Sequence, residues 1–210
     1  MKYNKRSIQI SCDGGAATGK STGAKLLSKK YNLKFLSSGL LYRYAALLIL
    51  KNNPSNKIKF LKSKFKNLNY KKLSKINLHS LEISKYSAQI AKINKVRSIL
   101  KRYQITFSKK NKRCCIEGRD ISTKILPNSD LKFFFKCSLN IAARRRFKDL
   151  KKINAKVKLS EVKKALRIRN ILDIERKNSP LLKHRDSVEI DTGKLNKKAM
   201  LVKMSRYVER

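Results

Sequence analysis

The stretch Ser7–Thr22, SIQISCDGGAATGKST, constrains the fold more than any other part of the chain. Alternating apolar residues at Ile8, Ile10 and Cys12 predict a strand, and the apolar spacing after the stretch predicts a helix. Between them, Gly14–Ser21 fits the pattern G-x-x-x-x-G-K-[ST]. The chain has only 7 glycines in 210 residues, and this octet holds three of them, so a chance match is improbable.

A strand, a glycine-rich turn and a helix in this order form a phosphate-binding loop. Glycines let successive backbone N–H groups face phosphate oxygens, and the start of the helix adds its dipole. In such a loop Lys20 neutralises the terminal phosphates of a nucleoside triphosphate, and the Ser21 hydroxyl binds Mg²⁺. The motif therefore predicts a nucleoside triphosphate site.

The length of 210 residues predicts one domain, residues 1–210. Its 54 Lys and Arg residues against 13 Asp and Glu give a net charge of +41. Such a charge attracts polyanions, which makes nucleic acid a candidate partner. The lysines are spread along the whole chain, however, and a genome-wide lysine bias would give the same composition. Both explanations stay open.

The cysteines Cys12, Cys114, Cys115 and Cys137 lie in apolar, strand-like runs without C-x-x-C spacing. This pattern favours buried thiols in a reducing compartment over a metal site or a disulfide. The basic segment Met1–Arg6 precedes an apolar run that is too short for a signal peptide, and no apolar run is long enough to span a membrane. We therefore expect a cytoplasmic protein without a membrane partner.

Apolar runs and turn residues predict strands that alternate with helices. After the first strand, the predicted strands are Leu33–Leu36, Cys114–Ile116, Leu131–Cys137 and Val188–Ile190. After the first helix, the predicted helices are one capped by Ser38, then Leu81–Ile93, Lys95–Ser108, Ile141–Ile153, Leu159–Ile171 and one from Asn196. This alternation predicts an α/β fold with a parallel sheet and ligands at the carboxyl ends of its strands. The Lys- and Asn-rich segment 52–80 has no clear period and is the candidate inserted subdomain.

Further motifs follow the second and third predicted strands. Ser38–Arg43 combines a helix start with an arginine that would hold a second anion. In the segment Glu117–Asp120, Glu117 is placed to bind a water of the Mg²⁺ shell, and Arg119 offers a fork for phosphate. Each motif alone is equally compatible with a capped helix or a solvated turn.

Two groups of arginines lie on predicted helices. Arg144–Arg146 are adjacent and span about 300° of a helix, so at most one or two of them can face one ligand. Arg169, Asp173 and Arg176 share one helical face or one side of a lid, because they are spaced by four and three residues. An ordinary salt-bridged face would have the same spacing.

The whole set of motifs resembles that of bacterial cytidylate kinases. The resemblance runs from about Ile8 to Asp191 and rests on DGGAATGKST, SSGLLYR, EGRDISTKILPNSDLKFFFKCS, RRR, R-x-x-x-D-x-x-R, SPLL and EIDT. It implies a P-loop kinase fold, in which helices flank a five-stranded parallel sheet, with a monophosphate-binding insert at about 52–93 and a mobile lid at about 156–180. It also implies Mg²⁺-dependent phosphoryl transfer from ATP to CMP or dCMP by a monomer that has no specific nucleic-acid partner.

The resemblance assigns site residues position by position. On the ATP side they are Gly14, Gly15, Ala16, Ala17, Thr18, Gly19, Lys20, Ser21, Thr22 and Arg145, with Ser21 also on Mg²⁺. On the CMP side they are Ser38, Arg43, Arg97, Arg119, Asp120, Asp173 and Arg176. The implied catalytic residues are Lys20, Arg119, Asp120, Arg169 and Arg176, with Arg169 near the ATP phosphates.

Two positions depart from the family pattern. Ser37 stands where the family often has Asp, and Ala88 stands where it often has Ser beside Gln89. The second change removes a hydrogen bond to cytosine, so the choice among CMP, dCMP and UMP stays open. An RNA-binding regulator is disfavoured because an RNA-binding signature is absent. A kinase for UMP, shikimate or a coenzyme A precursor is disfavoured by SGLLYR and EGRD.

Overall fold

The computed structural model of the protein describes residues 7–152 and 156–210. The basic segment Met1–Arg6 and the predicted helix end at Ile153 lie outside the described residues. The strands are β1 (Ile8–Gly14), β2 (Lys34–Ser37), β3 (Arg113–Gly118), β4 (Leu131–Lys136) and β5 (Val188–Asp191). Within the described residues they form one five-stranded parallel sheet in the order β2-β3-β1-β4-β5. The predicted fold is confirmed.

Helices connect these strands. They are α1 (Lys20–Lys30), α2 (Ser38–Asn52), α3 (Lys57–Lys66), α4 (Leu81–Ile90), α5 (Asn94–Lys110), α6 (Leu139–Lys151), α7 (Leu159–Glu175) and α8 (Lys197–Val208). A 3₁₀ helix spans Tyr70–Lys75, and a π-helical segment spans Ile121–Ile125. The sequence predicts neither of these last two segments.

The start of α2 differs by one residue from the prediction. Ser37 is the N-cap, because its backbone is still extended at the end of β2 and its hydroxyl accepts the N–H of Leu40. Ser38 is the first residue of the helix. The prediction that Ser38 caps the helix was therefore wrong.

The two faces of the sheet bury separate apolar cores. On β3, Cys114 and Ile116 face a core built with α2, α3 and α5, whereas Cys115 faces a core built with α1 and α8. This alternation follows from the period of two along a strand. Cys12, on β1, shares the second core. The prediction of buried thiols holds for these three cysteines, but Cys137 lies just beyond β4 and is only half-buried.

The poorly patterned segment 52–80 contains a helix. Leu61 and Phe65, four residues apart on α3, are buried in the core that also holds Leu100 of α5. The lysines of α3 are exposed, and they make its apolar stripe hard to recognise in the sequence. Together with α4, this segment forms the part of the chain that the sequence predicts to be an insert.

Helices α6 and α7 pack together through a third apolar cluster. Helix α7 continues to Glu175, beyond the predicted end at Ile171, so Asp173 lies in its last turn and Arg176 follows it directly. Among the described residues, every helix is too short or too polar to cross a membrane.

Candidate active site

The glycine-rich turn after β1 adopts a backbone that most residues would not tolerate. Gly14 has φ +150°, and a Cβ there would overlap the carbonyl group of Phe135 on β4. Gly19 has φ +85° and directly precedes α1. These two positions require glycine, because a side chain would be strained at either one. The turn therefore delivers Lys20 to the first position of a helix at the carboxyl end of the sheet.

Lys20 is buried at this turn. Its Nζ donates to the carbonyl oxygen of Gly15 at 2.9 Å and lies 3.9 Å from Oε2 of Glu117. Burial, reinforced by the charge of Arg119, lowers the pKa of Lys20 to about 7. An anion bound in the loop would favour the charged form of Lys20 and raise this pKa.

Glu117 lies at the end of β3, next to the end of β2. It is buried and accepts a hydrogen bond from the hydroxyl of Ser37. Described residues form no cluster of three or more Asp, Glu, His or Cys side chains that would cage a metal. That fits Mg²⁺, which binds through one or two protein oxygens and substrate phosphates. The Ser21 hydroxyl and the Glu117 carboxylate are hard oxygen donors of this kind.

A network of buried ion pairs joins the segment after β3 to the end of α7. Arg97 donates to the carboxylate of Asp120. Nη2 of Arg176 lies 3.9 Å from the other Asp120 oxygen, and its Nη1 lies 3.4 Å from Oδ1 of Asp173. Nε of Arg119 donates to Oδ2 of Asp173 at 2.8 Å. Burial acts to raise the pKa of Asp173, but the surrounding guanidinium groups outweigh it and hold that pKa below its ordinary value.

Several buried guanidinium groups near the carboxyl end of the sheet have charges that nearby carboxylates only partly balance. Burial, together with the charges of Arg169 and Arg146, lowers the pKa of Arg43 to about 9. Burial, together with Arg119, lowers the pKa of Arg169 to about 10. Nε of Arg43, Nε of Arg169 and Nη2 of Arg176 are buried without a hydrogen-bond partner in the described part of the chain. Two of these donors still lie near a carboxylate, at 4.0 Å for Arg169 and Asp173 and 3.9 Å for Arg176 and Asp120. Buried donors without a hydrogen bond on mutually repelling cations are suited to an anionic ligand.

Residues 10–210 match the sequence model of a protein family described as Cytidylate kinase. The chain belongs to the cytidylate kinase family. The cytidylate kinase of Fusobacterium nucleatum is 32% identical over 215 residues, which cover 97% of this chain and 98% of that protein. The cytidylate kinase of Rickettsia conorii is 34% identical over 205 residues, which cover 97% and 93% of the two chains.

Solved structures agree with the fold. Shikimate kinase from Bacteroides thetaiotaomicron superposes with a TM-score of 0.54 at 9% identity, over 97% of this chain and 99% of that one. At this identity the likeness concerns the P-loop kinase fold alone. The cytidylate kinase family, not the neighbour's substrate, therefore guides the assignment of the cleft.

The arginine run on α6 divides its side chains among different partners. Arg145 donates to the hydroxyl of Thr192 at 2.8 Å and to its carbonyl at 2.7 Å, which places it beside Gly19 of the turn. Arg146 donates to the insert, at the carbonyl of His79 and the hydroxyl of Ser84. Arg144 is exposed. The three side chains thus point to different surroundings, as expected for adjacent residues of a helix.

Three other residues assigned by the family resemblance, Ser38, Arg43 and Arg169, contact the end of β3 or the segment His79–Ser84. Ser38 packs beside Gly118 at the end of β3. Arg43 contacts His79 at 3.0 Å, and Arg169 donates to the carbonyl of Ser84 at 3.1 Å. Arg169 thus lies between the insert and Asp173 rather than beside Arg145, although its charge still acts on Lys20.

A cavity of about 200 Å³ adjoins the Arg97–Asp120 pair. Tyr42, Asn94 and Asn178 also line it. The two asparagines are hydrogen-bonded to each other, since Nδ2 of Asn178 donates to Oδ1 of Asn94 at 2.7 Å. This link connects the end of the predicted lid to the start of α5.

Sequence reasoning missed two residues that hold the phosphate loop in place. Oδ1 of Asn170, on α7, accepts the backbone N–H of Ala16 at 3.2 Å. The hydroxyl of Thr192 donates to the carbonyl of Thr18 at 2.8 Å and also faces Arg145. A sequence signal existed only for Thr192, which belongs to the EIDT motif of the family.

Proposed function

We propose that the protein is a nucleoside monophosphate kinase that transfers the γ-phosphoryl group of ATP to CMP or dCMP, giving ADP and CDP or dCDP. The observation that supports this proposal most strongly is the buried arginine cluster. Three of its donors have no hydrogen-bond partner among the described residues, and two of its members, Arg119 and Arg169, act electrostatically on Lys20. The phosphate loop alone would be enough to bind a single phosphorylated substrate. A second cationic cluster beside it suits an enzyme that brings two phosphorylated substrates together.

On the ATP side, the loop and Arg145 would hold the triphosphate, with Lys20 on its terminal phosphates. Mg²⁺ would bind to the Ser21 hydroxyl, and Glu117 would accept a hydrogen bond from one of its waters. When bound, the ion neutralises charge on the phosphate oxygens. The residues assigned to ATP are Gly14, Gly15, Ala16, Ala17, Thr18, Gly19, Lys20, Ser21, Thr22 and Arg145.

On the CMP side, arginines would bind the phosphate and the Arg97–Asp120 pair would lie near the base. The residues assigned to CMP are Ser38, Arg43, Arg97, Arg119, Asp120, Asp173 and Arg176. Segment 52–93 would act as the monophosphate-binding insert and segment 156–180 as the lid. Ala88 offers cytosine no side-chain hydrogen bond. Discrimination between cytosine and other bases would therefore rest on the Arg97–Asp120 pair and the adjoining cavity.

The reaction needs little acid-base chemistry, because the accepting phosphate oxygen of CMP is already ionised at neutral pH. It needs charge neutralisation, since each pair of unit charges 4 Å apart repels by about 4 kcal/mol at an effective dielectric near 20. Arg119, Arg169 and Arg176 would supply that neutralisation together with Lys20. Closure of the lid would exclude water and prevent hydrolysis of ATP.

Purified protein with Mg²⁺ and ATP should be assayed with CMP, dCMP, UMP, AMP, GMP and shikimate at near-physiological salt. We expect turnover with CMP and dCMP, as suits a cytoplasmic, monomeric enzyme of pyrimidine nucleotide metabolism. Turnover with shikimate or a purine nucleotide alone would contradict the substrate assignment. No turnover with any acceptor, combined with RNA binding that survives physiological salt, would move the protein to the nucleic-acid class.

A further inference from the structure

Asp13 is a buried carboxylate that none of the proposed roles uses. It is the residue before Gly14 on β1 and is 1% exposed. Oδ1 accepts the backbone N–H of Ile121 at 2.8 Å. Oδ2 accepts the backbone N–H of Ser122 at 2.7 Å and the Ser122 hydroxyl at 2.6 Å. Both carboxylate oxygens are therefore engaged by protein donors, which leaves Asp13 unsuited to act as a base.

The donors belong to the segment that directly follows Arg119 and Asp120. Strand pairing aligns Asp13 with Gly118, the last residue of β3, so the sheet fixes the chain only up to that point. Beyond Gly118 the chain turns into the π-helical segment Ile121–Ile125. Asp13 holds the first two N–H groups of that segment.

These hydrogen bonds link the phosphate loop to the segment that carries Arg119 and Asp120. On one side Asp13 continues directly into the phosphate loop. On the other side it fixes the backbone from which Arg119 reaches Asp173 and Asp120 reaches Arg97. Burial raises the pKa of Asp13 to about 6 even though the Ser122 and Ile121 donors favour its ionised form. The fold therefore retains a carboxylate at a place where burial opposes its charge.

We infer that Asp13 is a positioning residue that sets the CMP-binding segment Arg119–Asp120 relative to the phosphate loop. The inference rests on the proposed function, because it concerns the site of the acceptor nucleotide. This role predicts that losing the carboxylate affects CMP binding more than ATP binding. Loss of the carboxylate should displace the acceptor site while the loop, held independently by Thr192 and Asn170, still binds ATP.

The test compares steady-state kinetics of wild type, Asp13→Asn and Ser122→Ala. Asparagine has the same shape as aspartate, but its amide group turns a donor toward an N–H or hydroxyl that needs an acceptor. We expect the KM for CMP to rise about tenfold or more and kcat to fall in Asp13→Asn, with the KM for ATP changed less than about threefold. Ser122→Ala loses one of the three bonds and should show a smaller rise in the KM for CMP.

Ser129→Ala is the matched control. Its buried hydroxyl donates at 2.9 Å to Ser11, which lies on β1 like Asp13 but two residues further from the phosphate loop, so both KM values should stay at wild-type levels. Equal rises in the two KM values, or lower thermal stability with unchanged KM values, would overturn the inference and leave Asp13 a structural residue. If Asp13→Asn does not fold, an unchanged KM for CMP in Ser122→Ala overturns it as well. A wild type that does not phosphorylate CMP would instead refute the proposed function, and the inference with it.

Discussion

Replacing Lys20 by methionine should affect activity and stability in opposite directions. Lys20 is buried, and its pKa lies at about 7 instead of 10.5. At about 1.4 kcal/mol per pKa unit, the shift corresponds to a net cost of about 5 kcal/mol for keeping this ammonium charged. The attraction of the buried Glu117 is already included in this shift. Methionine fills a similar volume without charge. Its loss of the hydrogen bond to Gly15 costs about 1 to 2 kcal/mol, so the variant should be more stable than wild type by about 3 kcal/mol at pH 6.

The pH dependence of this gain follows from the direction of the pKa shift. Below pH 7, Lys20 is protonated in the folded and the unfolded chain, so the full cost is present. As the pH rises from 7 toward 10.5, the folded chain loses this proton first and wild type becomes more stable. The advantage of Lys20→Met should therefore shrink by up to about 1.4 kcal/mol per pH unit over that range.

Urea unfolding at pH 6 and pH 9, without nucleotide, measures the stability difference. Turnover with ATP and CMP should fall by about 10²- to 10⁴-fold in the same variant, because we propose that Lys20 neutralises the transferred phosphoryl group. Lys29→Met, on the exposed face of α1, is the control and should change neither quantity. A Lys20→Met protein that is less stable than wild type at pH 6, or that keeps wild-type turnover, would refute the reasoning.

Three further predictions concern the ion-pair network, the glycine-rich turn and the lid. Arg97→Met should destabilise the protein by about 3 kcal/mol in urea unfolding, because it leaves the buried Asp120 carboxylate without its main partner. A decrease in unfolding free energy below about 1 kcal/mol would contradict a stabilising role for this pair. Gly14→Ala should cost about 2 to 4 kcal/mol, because its Cβ would overlap the Phe135 carbonyl at a strained φ, and an unchanged melting temperature would disprove that crowding. The segment 156–180 should resist limited proteolysis only when ATP and CMP are both bound, and cleavage that ignores the nucleotides would count against lid closure.

Local patterns predicted most of the sheet and the phosphate loop. Central parallel strands such as β3 and β4 are nearly continuously apolar, and the loop motif fixes its own backbone through its glycines. Helix α3 escaped prediction because lysines occupy its solvent-facing positions and only Leu61 and Phe65 are fully buried, while Ile58 and Phe60 pack against the core in part. The N-cap of α2 was misplaced by one residue, since both Ser37 and Ser38 carry a hydroxyl suited to capping.

The site contacts that escaped prediction join residues far apart in the chain. Asn170 reaches the phosphate loop from α7, and Thr192 reaches it from the end of β5. Asp13 accepts a hydrogen bond from Ile121, which lies more than a hundred residues further along the chain. Spacing within a helix or strand carries no information on such contacts, because only the packing of α7 and the sheet order bring these side chains together. The resemblance located Arg145 and Asp173, whereas only the structure shows what holds them.

A single-turnover experiment would show whether the protein transfers a phosphoryl group from one bound nucleotide to another. The protein in excess would be mixed with ATP labelled on its γ-phosphate, Mg²⁺ and CMP, and the products would be separated by chromatography. We expect the label to appear in CDP with the wild-type protein and its transfer to slow by about 10²-fold or more in Lys20→Met. Label released as inorganic phosphate, or left in ATP by the wild-type protein, would contradict this expectation.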